Sequence, residues 1–407
     1  MSKSSHFTGQ PIYSQLLSLL DKRQIMRLSQ EHSGERYTKR FDAWTHLVVM
    51  LYAVIKRFDS LREIAVSLLA EAPKLQHLGI STMGYRSTLS DANKRRPEAI
   101  FASIYHYVYA QYRHELSSDS CKKAQWLKRL QIIDSTTITL FSNLIFKGVG
   151  RHPKRGKKKG GIKVHSIIHA NEQVPCDIQF TSAATHDSFM LQPERFASGD
   201  ILAFDRAYMD YEKFELLSQR GAIYVTKMKK KLRYRLLSDT MVQAPEGLME
   251  LRLQEVIFSK TQSDGTVLQH KARLITYPEA KRSKLTTLLT NDLETDPHDL
   301  IQVYRTRWEI ELLFKQLKQN FPLRYFYGES ANAIKIQIWV TLLANLLLMV
   351  LKARLKRAWS FSGLATIVRI CLMYYADVYT LLEHPERDWV RSQKQRGDPC
   401  YECLLFE

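Results

Sequence analysis

The spacing of apolar positions changes texture twice along the chain. Near the N-terminus it is helical, as in FDAWTHLVVMLYAVIKR from Phe41 to Arg57, where apolar residues recur at three and four. The SLRE that follows sets Ser60 and Glu63 at capping-box spacing and opens another helix. The pattern predicts an all-helical domain over residues 1–120, closed by the polar linker ELSSDSCKKAQ. Short β-branched runs then take over: QIIDSTTITL (131–140), GIKVHSIIHA (161–170), VPCDIQFTSA (174–183), DILAFDRA (200–207) and GAIYVTKM (221–228). A helical segment, YEKFELLSQR, separates the last two. Three adjacent strands followed by strand, helix, strand predict a mixed α/β sheet with helices packed on it. Strand texture returns over 232–294, where LRLQEVIFS and TVLQHKARLITY meet around Asp264-Gly265, a hairpin signal. Beyond it the chain reads as helical again.

The helix after that segment carries the densest chemistry. In TDPHDL, Asp296 suits an N-cap, Pro297 the first helical position and Asp299 the first turn. A single helix is predicted from about residue 297 through YRTRWEIELLFKQLKQN. With Tyr304 at zero and about 100° per residue, Arg307 falls at about −60°, Lys318 at about −40° and Glu311 at about −20°. Glu309 falls at about +140°, on a face expected to be solvated, and Trp308 at about +40°, beside the stripe, free either to stack on a base or to pack inward. An ordinary amphipathic helix with solubilising charges has the same wheel.

Charge narrows the partners. Sixty Lys and Arg against 41 Asp and Glu give +19, a surplus that favours a polyanion, most simply nucleic acid. Five scattered cysteines argue for a reducing compartment, and Cys400-x-x-Cys403 lacks the partners of a zinc site. No secretion signal opens the chain, so a cytoplasmic setting is expected. The apolar run IQIWVTLLANLLLMVL, 336–351, contains Gln337, Thr341 and Asn345 and reads as a buried helix, not a membrane span.

Two aspartates follow apolar strands: Asp134 after LQII and Asp205 after ILAF. Strand C-termini in α/β sheets are where sites form, although strand-end aspartates also simply turn the chain. With Glu311 they could form a carboxylate cluster, which repels itself unless cations fill it.

These residues carry a family resemblance. Tyr304, Arg307, Glu311 and Lys318 reproduce the spacing of the YREK signature of the insertion-sequence-four family of bacterial DDE transposases, within RWEIELLFKQLK. IIDSTTI and FDRAY resemble the segments that hold that family's two catalytic aspartates, and the likeness runs over about residues 125–350. It implies a ribonuclease-H-like catalytic core (125–231 and 295–355) interrupted by the β-rich insertion (232–294), with a helical C-terminal region and tail (356–407). The order of strands read above suits that core. It further implies that Asp134, Asp205 and Glu311 bind two Mg²⁺ ions, with Mn²⁺ able to substitute, and that Tyr304, Arg307 and Lys318 hold the transposon-end strand. Double-stranded DNA, a homodimer in the paired-end complex, and cut-and-paste strand transfer through a hairpin belong to the same expectation. A catalytically inactive DNA-binding regulator is the alternative, and another nuclease on this core a third.

Other DNA contacts are expected from basic runs: Lys157, Lys158, Lys159 and Lys163 in KRGKKKGGIK, Lys230 and Lys231 in KMKKKLRYR, and Arg206 by its place after Asp205. A solvated hairpin tip would look similar. In the helical domain, SLREIAVSLLA and YRSTLSDANKRR suggest a helix-turn-helix presenting Arg86, Lys94, Arg95 and Arg96, unless they are part of a plain bundle. His165, His169 and His186 lack zinc spacing, and His186-Asp187 could sit near the site or be structural.

Overall fold

A computed structural model describes residues 9–387, apart from 37, 39, 81–83, 118–124, 140–149, 152–159, 184, 244–249, 263–264 and 280–284. Lys157, Lys158, Lys159, Asp264, Cys121, Cys400 and Cys403 therefore lie outside the described residues. In chain order come α1 (Ile12–Leu17), α2 (Lys22–Glu31), α3 (Ala43–Lys56), α4 (Leu61–Ala70), α5 (Arg86–Arg95) and α6 (Glu98–Leu116). Strands β1 (Leu130–Thr139), β2 (Gly150–Arg151), β3 (Gly160–His169), β4 (Pro175–Ser182) and β5 (Ile201–Phe204) follow, then α7 (Tyr211–Gln219) and β6 (Ile223–Lys227). The remainder is β7 (Arg235–Gln243), β8 (Glu250–Thr261), β9 (Val267–Pro278), β10 (Leu285–Thr290), α8 (Pro297–Thr306), α9 (Trp308–Asn320), α10 (Ala331–Ala353), α11 (Phe361–Cys371) and α12 (Val378–Glu383).

The chain divides into two compact units, 1–116 with 316–407, and 117–315. Compactness thus places residues 316–355 with the N-terminal helices, whereas the sequence expectation groups 295–355 by function with the catalytic core. An apolar helix advertises that it is buried but not against what.

In the helical unit, α10 is the central element, buried along nearly its whole length from Ala333 to Leu351. It is long and apolar enough to cross a membrane, yet 94% of its most apolar window is covered inside the fold. Its polar residues explain the choice. Gln337 accepts a hydrogen bond from the Tyr327 N–H (2.8 Å) and donates to the Pro322 and Tyr325 carbonyls (2.8 Å each). Asn345 accepts from Gln316 at 2.7 Å. Each of these buried groups would cost about 1–3 kcal/mol if left unpaired. Gln337→Leu should therefore destabilise the helical unit by about 3 kcal/mol, read as a lower urea midpoint at unchanged slope.

The amide of Asn332 donates to the Asn93 and Arg96 carbonyls (2.9 and 2.8 Å), satisfying the C-terminal end of α5. Ser60 caps α4 by accepting from the Glu63 N–H, while Glu63 reaches back to the Asp59 N–H, completing the predicted box one residue early. Among the described residues α4 and α5 form no tight helix-turn-helix: α4 ends at Ala70 and α5 starts at Arg86, with a 3-10 turn (Ala72–Leu78) between them, whereas that motif uses a turn of about 3–4 residues. Arg86, Lys94 and Arg95 are exposed, but Arg96 is buried. His46 is fully buried and hydrogen-bonded to Asn93 (2.8 Å), and burial pushes its pKa down to about 3. It stays neutral in the fold and would protonate in the unfolded chain below about 6.5, so stability is lost as pH falls from that value toward 3. By pH 5 the loss should reach about 2 kcal/mol, and His46→Gln should remove that part of the acid slope in urea titrations.

The second unit is one ten-stranded sheet. β1 pairs antiparallel with β3, and β3 with β4. On its other side β1 runs parallel to β5, and β5 parallel to β6. The strands of the β-rich segment continue this sheet. β10 pairs antiparallel with β6, and β9, β8 and β7 extend the sheet from there. The core follows: Phe204, Phe214 and Tyr224 pack in one cluster with Val256, Phe258 and Leu274 of the insertion strands. Phe214 and Tyr224 stack at 4.2 Å, near the close limit for aromatic pairs.

Candidate active site

The parallel ladder sets the first two carboxylates. β1 and β5 are in register up to Ile133 opposite Phe204, so Asp134 and Asp205 are the residues that follow this last pair. Adjacent strands lie about 4.8 Å apart. Asp134 is not a strand end, as the sequence suggests, because β1 continues to Thr139 through its pairing with β3, where Asp134 faces Ser166. Asp205 does follow the last residue of β5.

Asp296 caps α8 by accepting from the His298 N–H at 2.7 Å, with Pro297 in the first turn, as expected. The predicted single helix, however, is two, meeting at Arg307. There the regular ladder lapses: the Arg307 N–H bonds the Tyr304 carbonyl (3.2 Å) and the Ile310 N–H bonds the Arg307 carbonyl (3.3 Å), both three residues back. Nothing in TRWE announces the break, which has neither Gly nor Pro.

At that junction Arg307 joins two of the carboxylates. Its Nη2 donates to Glu311 Oε1 at 2.6 Å, and its Nη1 lies 3.6 Å from Asp134 Oδ2. Its side chain is 13% exposed, and its Nε is buried with no hydrogen-bond partner among the described residues. The guanidinium also sits 5.7 Å from the centroid of the Tyr304 ring. Burial pushes Asp134 up to about 6, against the pull of the Ser135 N–H and Arg307, with the charges of Glu311 and Asp205 adding to the rise. Asp134 is thus surrounded by acids that feel one another. Yet among the described residues no group of three or more His, Cys, Asp or Glu side chains stands poised to hold a metal ion. Arg307 supplies the positive charge between Asp134 and Glu311.

Behind Asp134 lies a second layer, of which sequence reading offers Asp187 only as one option and misses Ser135 and Tyr208. The Ser135 N–H donates to Asp134 Oδ1 (2.8 Å), while the Ser135 hydroxyl donates to Asp187 (2.7 Å). Lys163 donates to the same Asp187 oxygen (3.1 Å) and to the Thr185 carbonyl (2.7 Å). Lys163 is therefore an ion-paired, largely covered residue of the site's wall, not an open phosphate contact. The buried Tyr208 phenol is raised above its ordinary value by burial and by the charges of Asp134 and Asp187. The one available signal was adjacency: Ser135 follows Asp134, and Tyr208 closes FDRAY.

The remaining candidates separate. Arg206, Lys230 and Lys231 are exposed. Lys318 is exposed on the part of α9 that belongs to the helical unit. Trp308 is 56% exposed, which removes the core-packing option. Glu309 is half-buried with one oxygen shut from solvent, unlike the solvated face the wheel gives it, because the kink at Arg307 changes the phase between the two helices. His165 bonds Thr181 (2.6 Å) and is held neutral, burial lowering its pKa to about 4. His186 accepts from the Ser188 N–H and caps a short turn, a structural role, while its neighbour Asp187 joins the site.

Comparison with known proteins gives the family. The family model for the transposase DDE domain matches residues 125–347, more than half the chain, and a domain of unknown function (DUF4372) matches residues 8–81. Among relatives, y4zB of Sinorhizobium fredii, a transposase by name, is 28% identical over 66% of this chain and 72% of its own length. Two proteins named as transposases of insertion-sequence elements, for IS4SA of a Synechocystis strain and IS5377 of Geobacillus stearothermophilus, are 25% and 22% identical. They cover 65% and 68% of this chain and 71% and 70% of their own lengths. With the DDE-domain match spanning both aspartates and the YREK helix pair, the chain belongs to the DDE transposase family of bacterial insertion sequences.

Proposed function

We propose that this chain is a DNA transposase that binds the terminal inverted repeats of its element and cleaves and rejoins DNA strands at the site formed by Asp134, Asp205 and Glu311. The observation that carries the reading is that Asp134 and Asp205 both directly follow the last residue pair of the parallel β1–β5 ladder, with Glu311 tied to Asp134 through Arg307. The strand order β4-β3-β1-β5-β6, in which β3 alone runs against the others, supports a ribonuclease-H-like core.

The donor set fits a hard divalent cation, since Mg²⁺ and Mn²⁺ take carboxylate oxygens and keep waters and phosphate in their shells. Asp134, Asp205 and Glu311 would hold two such ions. When bound they would stabilise the attacking and leaving oxygens of an in-line displacement at phosphorus. The chain's own groups do the rest. Arg307 can turn its fork from Glu311 to a strand phosphate, a bidentate match, and leave the carboxylates free. Tyr304 lies under that guanidinium and fixes its approach. Lys318, Arg206, Lys230 and Lys231 offer further phosphate contacts, and exposed Trp308 a surface for an unpaired base. Ser135, Asp187 and Lys163 keep Asp134 in place. A paired-end homodimer, a hairpin intermediate and a cytoplasmic setting complete the proposal.

The arginine bridging the carboxylates also suits a second reading, a DNA-binding regulator without cleavage. Incubating the full chain with labelled terminal DNA and Mg²⁺ separates the two. Strand nicking at the element end, lost with EDTA, is expected of the transposase, and tight end binding without nicking would leave the regulator.

A further inference from the structure

The helical unit has an open cleft of about 730 Å³ lined by Gly34, Arg36, Thr38, Arg40 and Phe41 on one side and by residues of α5 on the other. Arg36, Arg40, Arg95 and Arg96 line it, with Asp91 the one acid among its described residues. Arg96 is fixed: it is 5% exposed, and its guanidinium donates to the Gly34 carbonyl (3.2 Å) and the Phe41 carbonyl (2.9 Å). Its Nη1 has no hydrogen-bond partner among the described residues, although Glu35 lies 3.8 Å from Nη2. Phe41 forms one wall, pressed so closely on Gly84 that a Cβ there would meet the ring at 2.9 Å. Tyr85 stands at the same cleft with 82% of its surface exposed, an aromatic ring that the fold leaves uncovered.

Cations and aromatic faces together are what a nucleotide needs. Arginine forks onto phosphate, and a base stacks on a Tyr or Phe ring with about 1–3 kcal/mol. Small-ligand pockets run from about 300 to 1,000 Å³, so a cleft of this volume admits one nucleotide and not a duplex. We infer that the cleft binds an unpaired nucleotide of a DNA strand, its phosphate on Arg40, Arg95 and Arg96 and its base against Tyr85 and Phe41. The inference rests on the DNA-acting reading above but not on the carboxylate site. It gives Arg40 and Phe41, within the domain of unknown function, a ligand class, and it replaces a groove-reading helix with a base-receiving pocket.

The test uses the full chain and two short duplexes of the element's terminal DNA, one fully paired and one with a single extrahelical adenine, in fluorescence anisotropy at fixed salt. Tighter binding of the bulged duplex, by about tenfold, is expected. Tyr85→Ala should erase that preference and Tyr85→Phe should keep it, both with the wild-type melting midpoint. Arg40→Gln and Arg95→Gln should each lower the salt slope by about one. Equal affinity for both duplexes, or a preference that survives Tyr85→Ala, overturns the inference. Displacement of the bulged duplex by millimolar AMP overturns it in favour of a free nucleotide. Nicking in the same samples reports on the carboxylate site alone. Nicking without the preference defeats the cleft and spares the site, whereas the preference without nicking does the reverse.

Discussion

Replacing Asp134 by alanine should reduce end cleavage by at least about 10³-fold, beyond the loss from removing a single stabilising donor elsewhere, while end binding persists. Asp134 is the point on which the site converges: it follows the same end of the β1–β5 ladder as Asp205, is touched by Arg307, and is held by the Ser135 N–H. No neighbour can substitute, because Asp187 is already bound by Ser135 and Lys163. A gel-based nicking assay with a filter-binding control decides it. A variant that still cuts would move the chemistry away from this strand, and one that loses both binding and melting cooperativity would show that the residue is structural.

Arg307→Ala should have the second largest effect, in two readouts. End binding should weaken and its salt slope should fall by about one, the signature of one lost phosphate contact. The free protein should also become metal-dependent. With the guanidinium gone, Asp134, Glu311 and Asp205 face one another without a cation, and like charges at that distance oppose folding. Mg²⁺ should therefore raise the melting midpoint of Arg307→Ala more than that of the wild type, which carries its own counter-charge. Equal shifts would mean that Arg307 and the metal do not compete for the same carboxylates.

Local signals were legible in the sequence and long-range ones were not. Asp296, Pro297 and Ser60 marked helix starts because capping is settled within four residues. Seven of the ten described strands were found within one to three residues, since β-branched runs bounded by polar turns need no partner to be seen, whereas β2, β7 and β10 were not located. The two aspartates and the YREK residues were visible as a spaced set. Three things were hidden. The lapse at Arg307 occurs among residues that include neither Gly nor Pro, so no strong breaker flags it. The place of Asp187 depends on β4 returning beside β3 and β3 beside β1, a register two strands removed from its own sequence. Arg96 looks like the surface cations beside it, and only its packing against the Gly34 and Phe41 carbonyls makes it a buried donor.

The continuity of the sheet through β6 and β10 bears on how such proteins can be shortened or evolve. An insertion that merely bulged from a loop could be trimmed back to a tight connection. Here excision of 232–294 would strip β6 of the neighbour on its outer side and leave Val225 and Thr226, now interior, along a raw margin of unpaired amides and carbonyls. Margins of that kind recruit foreign strands, so a truncated chain should aggregate before it loses its catalytic geometry, and lineages that shed these hairpins would need a new cover for that strand.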